Sequence, residues 1–146
     1  MKKIIYFILF IVISICITGC SNKQKLICKK TLKSDGVTIV NTNILIFEKE
    51  KINKMKMEYN YILDNEYIKN AENIKKNIDK QFRKFAEYKG IDYKSELIEK
   101  NSKIKYRIEI DLYKVDEAGK EAFNITGNES YEINKKALEK AGFKCK

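Results

Sequence analysis

Residues 104–112 read IKYRIEIDL, in which apolar side chains alternate strictly with charged ones. A period of two is typical of a β-strand that buries one face and leaves the other in water. This segment therefore predicts the best core strand of the chain, and its apolar face requires a cover of other apolar side chains. The predicted core side chains are Ile104, Tyr106, Ile108, Ile110 and Leu112.

Four other segments have the pattern of strands. Residues 26–32 and 38–47 flank residues 34–36, Ser-Asp-Gly, a hairpin turn in which glycine supplies the positive φ. Over residues 55–63, Met55, Met57, Tyr59, Tyr61 and Leu63 occupy every second position, whereas residues 91–100 are a weaker candidate. About five antiparallel strands are therefore expected.

After the third of these strands the spacing of apolar residues changes to three or four, which indicates an amphipathic helix. Asp64 or Asn65 is expected to cap this helix and Gly90 to end it. A shorter helix is predicted over residues 134–141, capped by Asn134, and residues 116–130 suggest a helical turn and a loop. The apolar stripe of the long helix consists of Tyr67, Ala71, Ile74, Ile78, Phe82 and Phe85.

These elements predict an α+β domain: an antiparallel sheet of about five strands packed against one long amphipathic helix, with a short C-terminal helix. The charges of the long helix fit this arrangement. Glu72 with Lys76, and Asp79 with Arg83, are spaced as favourable i,i+4 pairs on the side that faces water. The chain is long enough for one core, and no repeat divides it.

The N-terminus has the parts of an export leader, with Lys2 and Lys3 before an apolar run at residues 4–17. The run ends in residues 17–20, Ile-Thr-Gly-Cys, which resemble a bacterial lipobox. The resemblance implies that a leader peptidase cuts before Cys20 and that the sulfur of this cysteine carries a diacylglycerol. Cys20 is therefore the expected site of lipid attachment.

This leader predicts how the chain is organised: residues 1–19 form a lipoprotein signal peptide, residues 20–25 a lipidated tether and residues 26–146 one α+β domain. A helix over residues 4–17 would span about 21 Å, less than the roughly 30 Å hydrocarbon layer, so a permanent transmembrane segment is the weaker interpretation. A plain secretory leader is the main alternative. We expect a lipid-anchored protein on the extracytoplasmic face of the bacterial membrane.

Lysine dominates the charge of the chain. The net charge is +10, and removal of the leader lowers it to +8. Nucleic acid is not an expected partner, because the chain is predicted to be exported and its only arginines, the residues that such recognition favours, are Arg83 and Arg107. A membrane-proximal group of lysines suggests contact with anionic lipid or wall polymer, and an ordinary solvated surface is the alternative. These lysines are Lys23, Lys25, Lys29, Lys30 and Lys33.

Two cysteines remain in the expected mature domain, Cys28 in the first strand and Cys145 next to the last residue. An exported protein with two such thiols favours a disulfide, although two independent buried thiols are the alternative. The bond would close a loop of about 118 residues, which corresponds to roughly 5 kcal/mol in the chain-entropy model. No cofactor or metal is expected, because the chain lacks histidine and two cysteines cannot complete a zinc shell.

Residues suited to catalysis are sparse. Without histidine there is no Ser-His or Cys-His pair. Glu109 and Asp111 share a strand face at a separation that glycosidase carboxylates also use. The neighbouring cations Lys105 and Arg107 favour solvated ion pairs instead. The chain does contain the residue types for a serine nucleophile that is activated by a lysine. The candidate serines are Ser95, Ser102 and Ser130.

Several segments together resemble the YehR-type family of small bacterial lipoproteins. They are the lipobox, the hairpin TLKSDGV at residues 31–37, the central helix, the strong late strand and the ending AGFKC at residues 141–145. The resemblance implies an α+β lipoprotein and brings no catalytic residue, since that family is itself of undefined function. We therefore expect a non-catalytic binding or interaction module of the cell envelope, with an unidentified envelope protein as a further partner. A small envelope enzyme or enzyme inhibitor is the alternative.

Overall fold

The computed structural model describes residues 23–126 and 130–146 and has the expected α+β architecture. The strands are β1 (Lys23–Ser34), β2 (Val37–Glu48), β3 (Lys51–Leu63), β4 (Ile91–Ile98), β5 (Lys103–Asp111) and β6 (Lys144–Cys145). They form one sheet in the order β4-β5-β3-β2-β1-β6, and every neighbouring pair is antiparallel. The predicted core strand, β5, lies inside this sheet between β4 and β3.

Four α-helices lie within these described ranges: α1 (Asn65–Ile68), α2 (Ala71–Phe82), α3 (Glu117–Ala122) and α4 (Tyr131–Lys140). A 3-10 turn, Arg83–Glu87, continues α2 and makes it the long helix of the fold. None of these described helices is long and apolar enough to cross a lipid bilayer.

The helices pack on one face of the sheet, called here the covered face. On β5 this face carries the alternating apolar side chains that the sequence predicts to be inward, and each is at most 1% exposed. Ile74, Ile78 and Phe82 of α2 pack over the β3–β5 side, whereas Tyr131 and Leu138 of α4 pack over the β1–β2 side. No described helix belongs to the opposite face, called here the open face. The sheet therefore presents a broad uncovered surface in the part of the chain that the structure describes.

The expected number of strands is wrong, because a sixth strand, β6, pairs with β1. Two residues are too few to show a period, so pattern alone cannot reveal such a strand. The first strand also begins earlier than predicted, at Lys23 rather than at residue 26. Residues 23–25, predicted as tether, are thus part of the sheet.

The helices differ from the prediction at their N-terminal ends. The single long helix is interrupted after α1, because the backbone N–H of Asn70 donates to the Tyr67 carbonyl and tightens the chain into a turn. The C-terminal helix begins at Tyr131, with Ser130 rather than Asn134 at its N-cap. The Asn134 amide instead donates to the Ser130 carbonyl from within the first turn.

The predicted hairpin turn is confirmed. Ser34 pairs with Val37 at the end of the β1–β2 ladder, and Gly36 has a φ of 74°. A side chain at Gly36 would also collide with the ring of Tyr67. The turn therefore needs glycine both for its backbone conformation and for the packing of α1.

Candidate functional site

The lysines predicted to form a membrane-proximal group divide between the two sheet faces. Side chains alternate along β1, and Leu26 and Cys28 are fully buried on the covered face. Four of the five lysines occupy the other set of positions and are exposed on the open face. They are Lys23, Lys25, Lys29 and Lys33.

Lys30 is the exception, since its position in β1 belongs to the covered face. Its Nζ donates a 2.7 Å hydrogen bond to the Ala141 carbonyl just after α4. The same ammonium group lies 5.7 Å from the centroid of the Phe143 ring, within cation–π range. Lys30 thus fastens the end of α4 to the sheet and is not part of the open-face group.

The disulfide predicted between Cys28 and Cys145 is present and adds two lysines to the open face. It holds β6 against β1 in the register that pairs Lys29 with Lys144. Backbone hydrogen bonds in both directions between Ile27 and Lys146, 3.1 and 2.9 Å long, extend the pairing. The two lysines of this C-terminal segment, Lys144 and Lys146, therefore share a sheet face with Lys29.

We call the six open-face lysines at this edge the lysine row. The members are Lys23, Lys25, Lys29, Lys33, Lys144 and Lys146. No ion pair or side-chain hydrogen bond joins any of them to another residue of the described chain. Sequence reasoning missed the last two, although a disulfide between Cys28 and Cys145 already implies that they lie beside β1.

The other half of the open face has a different charge arrangement. Lys56 and Glu58 of β3 alternate in space with Arg107 and Glu109 of β5, and they form four ion pairs of 2.8–3.8 Å. Burial raises the pKa of Glu58, but the hydrogen bond from Lys56 and the charges of Lys56, Lys105 and Arg107 outweigh burial, so that this pKa is lowered. These four charges of β3 and β5 thus pair with one another, in contrast to the lysine row.

The two carboxylates considered for glycoside chemistry are both engaged by nearby groups. Glu109 Oε1 lies 3.1 Å from Arg107 Nη1. Asp111 Oδ1 accepts a hydrogen bond from the Tyr113 backbone N–H, and its Oδ2 lies 3.7 Å from Lys114 Nζ. These contacts agree with the ion-pair interpretation of the sequence.

Asp79 makes the most extensive side-chain contacts between a helix and the sheet. Its Oδ1 accepts hydrogen bonds from Tyr93 Oη at 2.7 Å and Ser95 Oγ at 2.6 Å, and its Oδ2 accepts one from Lys75 Nζ at 2.8 Å. The predicted Asp79–Arg83 pair is therefore wrong, because the carboxylate oxygens accept from Tyr93, Ser95 and Lys75 instead. Burial raises the pKa of Asp79, but its three donors outweigh burial and lower it.

None of the three candidate serines has the arrangement of a lysine-assisted nucleophile. Ser95 donates to a carboxylate, and Lys75 contacts the opposite oxygen of that carboxylate. Ser102 donates to the Glu99 carbonyl inside the β4–β5 turn. Ser130 occupies the N-cap position of α4. Each serine has a local structural partner or position.

Tyrosines of the strands form a packed cluster. The ring of Tyr106 is 1% exposed and lies 5.1 Å from those of Tyr59 and Tyr61, and Phe82 of α2 covers it at 5.2 Å. Burial raises the pKa of the Tyr106 hydroxyl, and the neighbouring Tyr61 adds to that rise. The cluster is part of the core.

Two predicted features cannot be compared with the fold. The lipid-attachment residue Cys20 and the signal peptide at residues 1–19 lie outside the described residues. Over residues 23–126 and 130–146, no group of three or more acidic or cysteine side chains is placed to hold a metal ion.

Comparison with known proteins identifies a similar fold. Neither a protein-family model nor a curated protein matches this sequence. A structure determined by NMR, that of a protein from Streptococcus pneumoniae TIGR4, is similar with a TM-score of 0.60. The alignment covers 88% of each chain at 10% sequence identity, so the similarity concerns the fold alone.

Proposed function

We propose that this protein is a lipoprotein of the bacterial cell envelope, held on the extracytoplasmic face of the membrane by an acylated Cys20, and that it is a non-catalytic binding module. The lysine row carries the binding role. Six like charges without an ion-pair partner in the described chain repel one another across an exposed face, and an anionic partner would relieve that repulsion. The resemblance to YehR-type lipoproteins is consistent with this proposal.

The sequence position of the lysine row supports a partner near the membrane. Lys23 follows Cys20 by three residues, and an extended chain spans at most about 3.6 Å per residue. The start of β1 would therefore lie within about 11 Å of an acylated Cys20. An anionic bilayer attracts each nearby lysine by about 1 kcal/mol, so several lysines would add substantially to the hold of the acyl chains.

An enzymatic role has less support than binding. Glu109 belongs to an ion-pair network, and Asp111 is held by Tyr113 and Lys114. The oxygens of both carboxylates are therefore engaged by contacts within the fold.

Replacement of Cys20 by serine tests the anchor. The full-length protein is produced in a lipoprotein-processing bacterial host that is fed labelled fatty acid. We expect the label on the wild-type protein and on a Cys16→Ser control, which changes a leader cysteine that is not the acylation site. The Cys20→Ser variant should carry no label and should leave the membrane fraction. Absence of the label from the exported wild-type protein, or a Cys20→Ser variant that stays equally membrane-bound, would contradict the proposal.

A further inference from the structure

A cleft of about 590 Å³ opens where β6 lies against β1. Its walls include two apolar or small positions, Ile27 and Gly142, and four lysines. No acidic side chain lines it. The lysines are Lys29 and Lys30 from β1, with Lys144 and Lys146 from the C-terminal segment.

The disulfide brings these two groups of lysines together. Cys28 and Cys145 are directly opposite each other in the β1–β6 register, and the lysines adjoin them in sequence. β6 has only two residues, so few ladder hydrogen bonds hold it. The covalent bond between Cys28 and Cys145, together with the two backbone hydrogen bonds between Ile27 and Lys146, therefore keeps Lys144 and Lys146 beside Lys29.

The chemistry of the cleft fits a phosphate group. Lysine ammonium groups bind phosphate as compact point charges, and several of them around one cavity favour a ligand with negative charge. Of these four lysines, only Lys30 has partners in the described structure, the Ala141 carbonyl and the Phe143 ring. Lys29, Lys144 and Lys146 keep their donors free for a ligand, and Ile27 supplies an apolar floor.

We propose that this cleft binds the phosphate headgroups of anionic phospholipids in the bilayer that carries the anchor, and that the Cys28–Cys145 disulfide assembles the site. The inference rests on the proposed function, because acylation at Cys20 is what would hold the β1 edge beside the headgroups. Lys29 follows Cys20 by nine residues, which limits their separation to about 32 Å in a fully extended chain. A lipid headgroup is thus favoured over a more distant wall polymer.

Vesicle binding by the chain from Ser21 to Lys146, which contains every described element but no acylation site, tests the cleft. We expect it to bind vesicles that contain phosphatidylglycerol, to ignore vesicles of phosphatidylcholine alone, and to lose binding as salt rises. The Lys144→Gln/Lys146→Gln variant should bind about 25-fold more weakly, since each lysine contributes about fivefold at an anionic surface.

A matched variant separates a specific cleft from the general charge of the protein. Lys76→Gln/Lys80→Gln removes the same charge from exposed positions of α2, on the covered side of the sheet. We expect it to bind vesicles nearly as the wild type does. An equal loss of binding in the two double variants would overturn the site, and so would binding to phosphodiester wall polymer without binding to anionic vesicles.

The Cys145→Ser variant tests the role of the disulfide. If it folds, as judged by circular dichroism, it should lose as much vesicle binding as Lys144→Gln/Lys146→Gln does, because β6 is then free to leave β1. Unchanged binding by a folded Cys145→Ser variant would overturn the assembly role. The glutamine variants retain the disulfide, so they test the cleft even if Cys145→Ser does not fold. The vesicle assay uses protein without acyl chains, so its result is independent of the Cys20 experiment.

Discussion

Asp79 connects α2 to β4 through one half-buried carboxylate. Tyr93 and Ser95 reach it from the strand, and Lys75 reaches it from the preceding turn of the helix. These donors replace the water that burial removes from the charge. The lowered pKa of Asp79 means that the folded state favours its ionised form.

We predict that Asp79→Asn lowers the free energy of unfolding by about 1–3 kcal/mol at pH 7. Because the pKa of Asp79 is depressed on folding, its contribution is fully present above the unfolded value of 3.8 and is lost as pH falls through the folded pKa. The difference between wild type and variant should therefore shrink toward pH 3. Urea denaturation at several pH values measures it.

Asp92→Asn is the matched control for this prediction. Asp92 lies on β4, the strand that carries Tyr93 and Ser95, but it is exposed and occupies an open-face position. Its replacement should change stability by less than about 0.5 kcal/mol at pH 7. An Asp79→Asn effect that is the same at pH 3 and pH 7 would show that the carboxylate's charge contributes nothing.

At the scale of elements, α2 depends on a few aromatic contacts with the sheet. Phe82 packs against Tyr59, Tyr106 and Phe85, and it belongs to the packing of two adjoining core clusters. We predict that Phe82→Ala lowers the free energy of unfolding by about 3 kcal/mol, since it leaves a cavity between helix and sheet. Thermal or chemical denaturation provides the measurement.

Ile133→Ala serves as the control, because Ile133 lies on α4 and is 57% exposed. Its truncation should alter stability by less than about 0.5 kcal/mol. Equal losses from the two truncations would mean that the aromatic contacts of α2 are not what holds it on the sheet.

The elements that the sequence predicts well are those in which a regular spacing of apolar residues continues over many positions. The nine alternating positions of residues 104–112 identify β5 and its buried face, and the spacing from Tyr67 to Phe85 identifies the side of the long helix that packs. Such patterns arise directly from burial of one face, so they survive details of the tertiary structure. The short strand β6 and the break before α2 have no comparable pattern, because a partner strand and a turn determine them.

Asp79 shows a similar limit within a well-predicted helix. Asp79 borders the apolar stripe beside Ile78 and Phe82. A small rotation of the helix there decides whether the Asp79 side chain faces water or the sheet. Lys75 lies four residues before it and Arg83 four residues after it, so spacing alone puts both within reach. The hydroxyls of Tyr93 and Ser95 on a distant strand decide the outcome, and no local pattern contains them.

At the scale of the whole molecule, the disulfide joins the two ends of the described chain across 117 positions of sequence. We predict that Cys28→Ala/Cys145→Ala lowers the free energy of unfolding by up to about 5 kcal/mol, because the unfolded chain regains the freedom that the closed loop denies it. Urea denaturation of the variant and the oxidised wild type provides the comparison.

The reduced wild-type protein is the control, since it keeps both sulfur atoms and their packing. It should lose nearly as much stability as the double-alanine variant does. Should the reduced protein match the oxidised one, the cross-link would have no influence on the unfolded state, and any loss in the variant would come from packing at Cys28.

Only part of the lysine row could be predicted from the sequence, because the pairing of two distant strands completes it. Alternation along the first strand separates Lys30 from Lys29 and Lys33 once the buried face is known. Lys144 and Lys146 join them only through the pairing of β6 with β1. Lysines from two distant segments of the chain become neighbours through the strand order of the sheet, and no single segment of the sequence shows this.

The position of the disulfide also decides how the domain would respond to force. Tension applied between residue 23 and residue 146 passes from β1 through the two sulfur atoms to β6, so beyond Cys28 it bypasses the sheet hydrogen bonds and the core. Of the residues that the structure describes, only 23–27 and 146 lie outside the covalent loop. An oxidised domain pulled by its ends can thus lengthen by no more than a few tens of ångströms, whereas a reduced one would transmit the full load to the sheet.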